Sequence, residues 1–230
     1  MNKVTRFESA ILLATVLADR ILQRSGEAIN QNGKFMMAIS GGKTPASLYK
    51  LLATEPYRTG ICWENVFIFW VDERCVPAES KDNNSYSAKQ LFLDHISIPT
   101  ENIFPIPVDL SPADAAATYE QTIKVFFKED LPRFDLVLLG MGDDGHTASL
   151  FPNTPVLLEQ QALVKEVYVE KLKMWRITFT APLINHAKEI LFMVTGKEKA
   201  AMLKTVLYGK YEPAKYPAQF VKNAAWFIAP

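Results

Sequence analysis

The 230-residue sequence predicts an α/β fold: a doubly wound, mostly parallel sheet flanked by helices. Three observations carry this. Residues Phe35–Ile39, 66–71, 134–139 and 190–194 are almost continuously apolar, as strands covered on both faces must be. Helical patterns separate these runs, and such alternation implies right-handed crossovers between parallel strands. No linker interrupts the order, so residues 1–230 read as one domain.

The elements follow in order. Phe7, Ala10, Ile11, Ala14, Leu17, Ala18 and Ile21 recur three or four positions apart, which predicts an amphipathic helix within residues 1–22. Lys3, Arg6, Glu8, Asp19 and Arg20 interrupt that segment, so it lacks the apolar block of a signal peptide. Further helices are expected at 44–53, 84–93 and 111–127. In the last, Ser111 can cap, Pro112 suits the first helical position and Asp114 favours the dipole. Residues 162–180 break the rhythm. Val164, Val167 and Val169, then Trp175, Ile177 and Phe179, suggest a hairpin around the charged turn at 170–173. A Lys- and Pro-containing loop at 210–222 leads to a last short strand, Ala225–Ala229, and no internal repeat is found.

Composition excludes several function classes. Twenty-five basic residues balance 25 acidic ones, which gives no bulk attraction to a nucleic-acid backbone. With 49% apolar and 22% charged residues the chain is too apolar to be disordered. No window approaches the roughly 18 apolar residues of a membrane span, so no membrane partner and a cytoplasmic location are expected. Cys62 and Cys75 are too few and too far apart for a disulfide framework or a CxxC site.

Ligands of open α/β sheets lie beyond the carboxyl ends of the strands, and three such endings stand out here. Ser40-Gly41-Gly42-Lys43-Thr44-Pro45 follows the first run. Its glycines allow close backbone approach, and Pro45 opens a helix whose free N–H groups attract phosphate. Gly42-Lys43-Thr44 mimics the end of a Walker motif, but Met37 occupies the place of its first glycine and the nucleotide reading fails. A plain strand-to-helix turn is the alternative. Asp72-Glu73-Arg74 follows the second run, where two carboxylates and a guanidinium could serve acid–base work or grip a polar substrate.

The third ending, 139–152, contains a formal GxGxxG, yet Pro152 leaves little room for the long helix of a dinucleotide-binding unit. Instead Asp144 and His146 are presented among glycines, a setting that suits a base beside a ligand. His95 and His186 read as structural. No histidine or cysteine pair has zinc-site spacing, so no catalytic metal is expected, and no GxSxG elbow marks a nucleophilic serine. Arg176 and Lys199 are the remaining cations of interest, the latter following the 190–194 strand on the same sheet edge as the other loops.

Taken together, Ser40 to Pro45, Val71 to Arg74, Gly140 to Pro152, Arg176-Ile177-Thr178 and Gly196 to Ala200 resemble the 6-phosphogluconolactonases, relatives of the glucosamine-6-phosphate deaminases. The resemblance spans residues 40–200 and is most specific in the third stretch. It implies a Rossmann-like fold of the sugar-phosphate isomerase/deaminase type and hydrolysis of 6-phospho-D-glucono-1,5-lactone in the oxidative pentose phosphate pathway. Deaminase relatives carry an acidic residue five positions after the histidine, where this sequence has Phe151. On this basis His146, oriented by Asp144, activates water, Arg74 with loop N–H groups stabilises the oxyanion, and no cofactor is expected. Gly41, Gly42, Lys43, Thr44, Arg176 and Lys199 hold phosphate, while Asp72 is either catalytic or structural. The partner is a small phosphosugar lactone, and the chain is expected as a monomer or small homo-oligomer. The rivals are a sugar-phosphate deaminase or isomerase, and a sugar-phosphate sensor, the latter disfavoured because no DNA-binding helix pair is appended.

Overall fold

The computed structural model describes residues 3–129 and 131–230. A seven-stranded, wholly parallel sheet runs in the order β1 (Lys3–Arg6), β10 (Ala225–Ala229), β9 (Ile190–Thr195), β6 (Leu136–Leu139), β2 (Phe35–Ile39), β3 (Val66–Trp70) and β5 (Ile103–Phe104). Every residue of β2 and β6 is buried, which is why these strands read as unbroken apolar runs. Helices α1 (Ala10–Asn32), α2 (Ala46–Leu52), α3 (Tyr57–Gly60), α4 (Asn84–Leu91), α5 (Pro112–Phe127), α6 (Ala181–Asn185) and α7 (Ala200–Tyr208) complete the described helical set.

A second sheet is antiparallel, with order β4 (Asp72–Arg74), β8 (Met174–Phe179) and β7 (Val164–Val169). Strands β7 and β8 are the hairpin expected at 162–180. Val71 joins the two sheets: its N–H donates to Ile39 of the main sheet, and its carbonyl accepts from Phe179 of β8. Between the sheets Phe69, Phe134 and Phe179 pack with centroids 5.2 and 5.4 Å apart, so the small sheet is bound to the core through aromatic contact.

Helix α5 obeys its signals, with Ser111 Oγ accepting from the Asp114 N–H and Pro112 at the first turn. Elsewhere the structure departs from the expectations. The helix assigned to residues 1–22 is a strand over Lys3–Arg6 followed by a helix that starts at Ala10 and runs to Asn32; residues 1 and 2 lie outside the described set. Ser9 caps its start through the Leu12 N–H, and Gly33 ends it at φ 72°. Ile11, expected on the core stripe, is exposed, and Leu13 takes the buried place. Residues 72–74, expected as a loop, form a strand. Helix α7 was not anticipated, although Leu203 and Val206 bury one of its faces. No long helix follows β6, as Pro152 foretold; a short 3₁₀ turn at Pro155–Leu158 comes instead.

Candidate active site

Nine of the ten residues singled out in the sequence line one cleft of about 250 Å³ at the carboxyl ends of the central strands: Gly41, Gly42, Lys43, Thr44, Asp72, Arg74, His146, Arg176 and Lys199. The tenth, Asp144, is hydrogen-bonded to the His146 ring. A larger groove of about 620 Å³, floored by Phe7, Leu203 and Ile228, borders the neighbouring Gly196–Lys197 turn but carries neither imidazole nor side-chain carboxylate. The smaller cleft is the one that brings an imidazole, a side-chain carboxylate and several cations together. His95 and His186 lie outside it, with ring nitrogens against the carbonyls of Gln90 and Pro132.

The glycine loop is shaped by its neighbours. Ser40 Oγ donates to the Leu138 carbonyl, tying β2 to β6, and the Tyr49 hydroxyl donates back to the Ser40 carbonyl. Gly42 sits at φ 102°, a conformation that disfavours any side chain. Gly41 is required for space: a Cβ there would lie 1.9 Å from Asn84 Oδ1. The helix expected at 44–53 begins at Ala46 and has seven residues, so the loop's own N–H groups are the larger part of any anion attraction.

His146 is held on three sides. Its Nδ1 lies 2.5 Å from Asp144 Oδ1, which also accepts the His146 backbone N–H. The Phe151 ring stacks on the imidazole with centroids 4.1 Å apart. Gly142 leaves no room beside Cε1 and Nδ1, for a Cβ there would stand 2.1 Å from both. Among the described residues Nε2 has no hydrogen-bond partner, so a neutral ring with its proton on Nδ1 keeps an acceptor free. Burial opposes ionisation of Asp144, but hydrogen bonds from His146 and Lys171 outweigh it and hold the carboxyl well below the usual carboxylate range.

Cations crowd the other walls. Arg74 and Arg176 are register partners across β4 and β8, which places both side chains on one face of the small sheet. Neither forms a salt bridge among the described residues, and the Nε of each is buried without a partner. Burial, partly offset by Asp72, lowers the pKa of Arg176. Lys199 donates to the Met141 carbonyl at 2.8 Å, which leaves two of its protons for a ligand. Asp72 Oδ2 accepts from Ser149 Oγ at 2.6 Å, and its carbonyl accepts from Asn84 Nδ2. Arg74 also donates to the Asp82 carbonyl, and with Arg176 and Lys199 lining one polar cleft the set has the makings of an anion site.

Glu73, noted in the sequence only as part of the Asp72-Glu73-Arg74 ending, is fully buried. Its carboxyl accepts the N–H groups of Arg74, Asn84 and Ser85 and thereby docks the start of α4 beside the cleft. Burial pushes its pKa up to about 7 against those hydrogen bonds. The folded protein therefore binds the extra proton between the unfolded value near 4.5 and about 7, and Glu73's contribution to stability falls as pH rises through that window. The full swing is about 3 kcal/mol. Urea midpoints of wild type and Glu73→Gln at pH 5 and pH 8 should show a smaller pH-dependent loss in the variant; equal losses would remove Glu73 as its source. Sequence reasoning also missed Asn84 and Gly142. The second was visible as a glycine of the GxG, but its reason, contact with the imidazole, is visible only in three dimensions.

A family model described as glucosamine-6-phosphate isomerases/6-phosphogluconolactonase matches residues 8–228. The 6-phosphogluconolactonase of Synechocystis sp. is 39% identical over 226 residues, covering 96% of this chain and 89% of that protein. That of Nostoc sp. is 40% identical over 208 residues, covering 89% and 84%. Among solved structures, the 6-phosphogluconolactonase from Thermotoga maritima superposes with a TM-score of 0.86 at 26% identity and 100% coverage of both chains. A monomeric glucosamine-6-phosphate deaminase has TM-score 0.84 at 18% identity over 99% of this chain and 97% of its own, a likeness of fold.

Proposed function

The chain belongs to the family of glucosamine-6-phosphate isomerases and 6-phosphogluconolactonases, its activity is that of the lactonases, and from that premise we propose how its cleft hydrolyses 6-phospho-D-glucono-1,5-lactone. Asp144 holds the Nδ1 proton of His146, so Nε2 accepts a proton from water as the oxygen attacks the lactone carbonyl. The carbonyl oxygen gains negative charge. Arg74 and loop N–H groups stabilise it, each well-placed donor contributing on the order of 3 kcal/mol. As the tetrahedral intermediate collapses, the C1–ring oxygen bond breaks and His146 returns its proton to that oxygen, giving open-chain 6-phosphogluconate. Arg176, Lys199, Lys43 and the Gly41–Thr44 backbone grip the phosphate, so that remote binding energy holds C1 near the base. Asp72, fixed by Ser149, accepts a sugar hydroxyl.

The observation that carries this reading is the 2.5 Å His146–Asp144 bond beside a cleft that Arg74, Arg176 and Lys199 also line. Phe151 bears on the deaminase alternative: the position where those relatives carry a carboxylate here supplies an aromatic face to His146. The proposal extends to one catalytic domain over residues 1–230, working in the cytoplasm as a monomer or small homo-oligomer without a nucleic-acid partner. Its support is one buried core, balanced charge and, among the described residues, no helix long and apolar enough to cross a membrane.

Lys199→Ala tests the phosphate grip. Initial rates of acid release from freshly made lactone, corrected for spontaneous opening, should show KM raised about tenfold with kcat little changed, the loss of one charge-assisted hydrogen bond. An unchanged KM would remove Lys199 from the phosphate site. Ammonia release or aldose–ketose conversion in place of acid would overturn the lactonase reading, as would phosphosugar binding without turnover.

A further inference from the structure

We propose that Lys171, at the tip of the β7–β8 hairpin, is a positioning residue for the His146–Asp144 pair, a role that rests on the mechanism above. Two independent contacts place it. Lys171 Nζ donates to Asp144 Oδ2, while His146 Nδ1 takes Oδ1 of the same carboxylate. The ammonium also stands 4.9 Å from the centroid of the Phe151 ring, whose stacking holds the imidazole. Lysine thus touches both supports of His146 without any recorded contact to His146 itself.

The hairpin gives this contact its geometry. Val169 pairs with Met174, the residues between them form a 3₁₀ turn, and Lys173 closes it at φ 48° with its N–H on the Glu170 carbonyl. At the hairpin base, Glu120 of α5 accepts the N–H groups of Leu163 and Val164, and Phe179 is tied to Val71. The tip is therefore carried on a strand pair anchored at its far end. With a separate donor on each oxygen, the Asp144 carboxylate cannot rotate without losing one of them, and the imidazole tautomer and tilt are fixed in turn. An exposed lysine pair is ordinarily worth little to stability. Its consequence here lies in the alignment of a base.

The test compares kcat and KM for the lactone in Lys171→Met, Lys171→Arg, Asp144→Asn and the double variant Lys171→Met/Asp144→Asn. Lys171→Met is expected to lower kcat about fivefold with KM within about twofold, the effect of one partly exposed ion pair expressed in the transition state. Lys171→Arg, which keeps the cation, should recover most of that loss. In the Asp144→Asn background the lysine change should add nothing, because its route to His146 is already cut. Wild-type kcat in Lys171→Met, a raised KM with kcat held, or an undiminished loss in the Asp144→Asn background would each overturn the proposal. Wild-type kcat in Asp144→Asn alone is a different failure: it would sink the underlying acid–base mechanism.

Discussion

His146→Ala should lower kcat for the lactone by about 10²–10⁴-fold, the range lost with a general base, while KM stays close to wild type. The side chain lies at the cleft wall against Phe151, and its loss leaves Arg176, Lys199 and the glycine loop in place. Binding and chemistry should therefore separate. Because the lactone also opens by itself, the rate is measured by acid release within the first seconds after mixing and referred to a protein-free blank. Far-ultraviolet circular dichroism establishes that the variant is folded. A folded His146→Ala protein with wild-type kcat would falsify the assignment of the base.

Gly142→Ala should have an effect nearly as large without touching a titratable group. The added methyl carbon would stand 2.1 Å from Cε1 and Nδ1 of the imidazole, well inside contact distance. Backbone relief is restricted, since the Gly142 N–H donates to the His146 carbonyl and the Gly145 N–H to the Gly142 carbonyl. The ring must swing away, and in doing so it surrenders its bond to Asp144. A misplacement on the order of 1 Å costs about 10²-fold in kcat. Gly140→Ala is the control within the same turn for a methyl that meets no protein atom, and because Gly140 also lines the cleft the comparison is of kcat at saturating lactone. The expected pattern is a collapse of kcat in Gly142→Ala with near-normal kcat in Gly140→Ala. Equal kcat values in the two would mean that the ring has slack and that Gly142 serves the turn alone.

These two glycines show what the sequence could and could not reveal. Asp144 and His146 are two positions apart, so a local motif brought them together and their pairing was legible at once. Strands β2, β3, β6 and β9 were legible for a related reason: they are buried almost throughout, and their composition records it. Residues 72–74 were misread because Asp72 and Glu73 look like solvent-facing loop residues. They are strand residues only because Ser149 and three backbone N–H groups satisfy their buried carboxyls, and those partners are distant or unmarked in the chain. Lys171 read as one charge in a polar turn. Its partner is 27 residues away, across the fold of the hairpin, and no periodicity encodes that reach. Strand β1 failed for the opposite reason, being four residues long with a single neighbour at the far end of the sequence.

That last pairing bears on how the chain is made. Val4 is made well before its partner, for the strand beside it contains Trp226, far along the chain. The neighbouring strands Phe35–Ile39 and Val66–Trp70 can associate while translation continues, but the edge opposite them must wait. Until the segment 225–228 has been made, the first strand has no native ladder to join. Completion of that edge is thus a late, long-range event, and a nascent chain stalled before Ala225 should leave its Lys3–Arg6 segment open to protease.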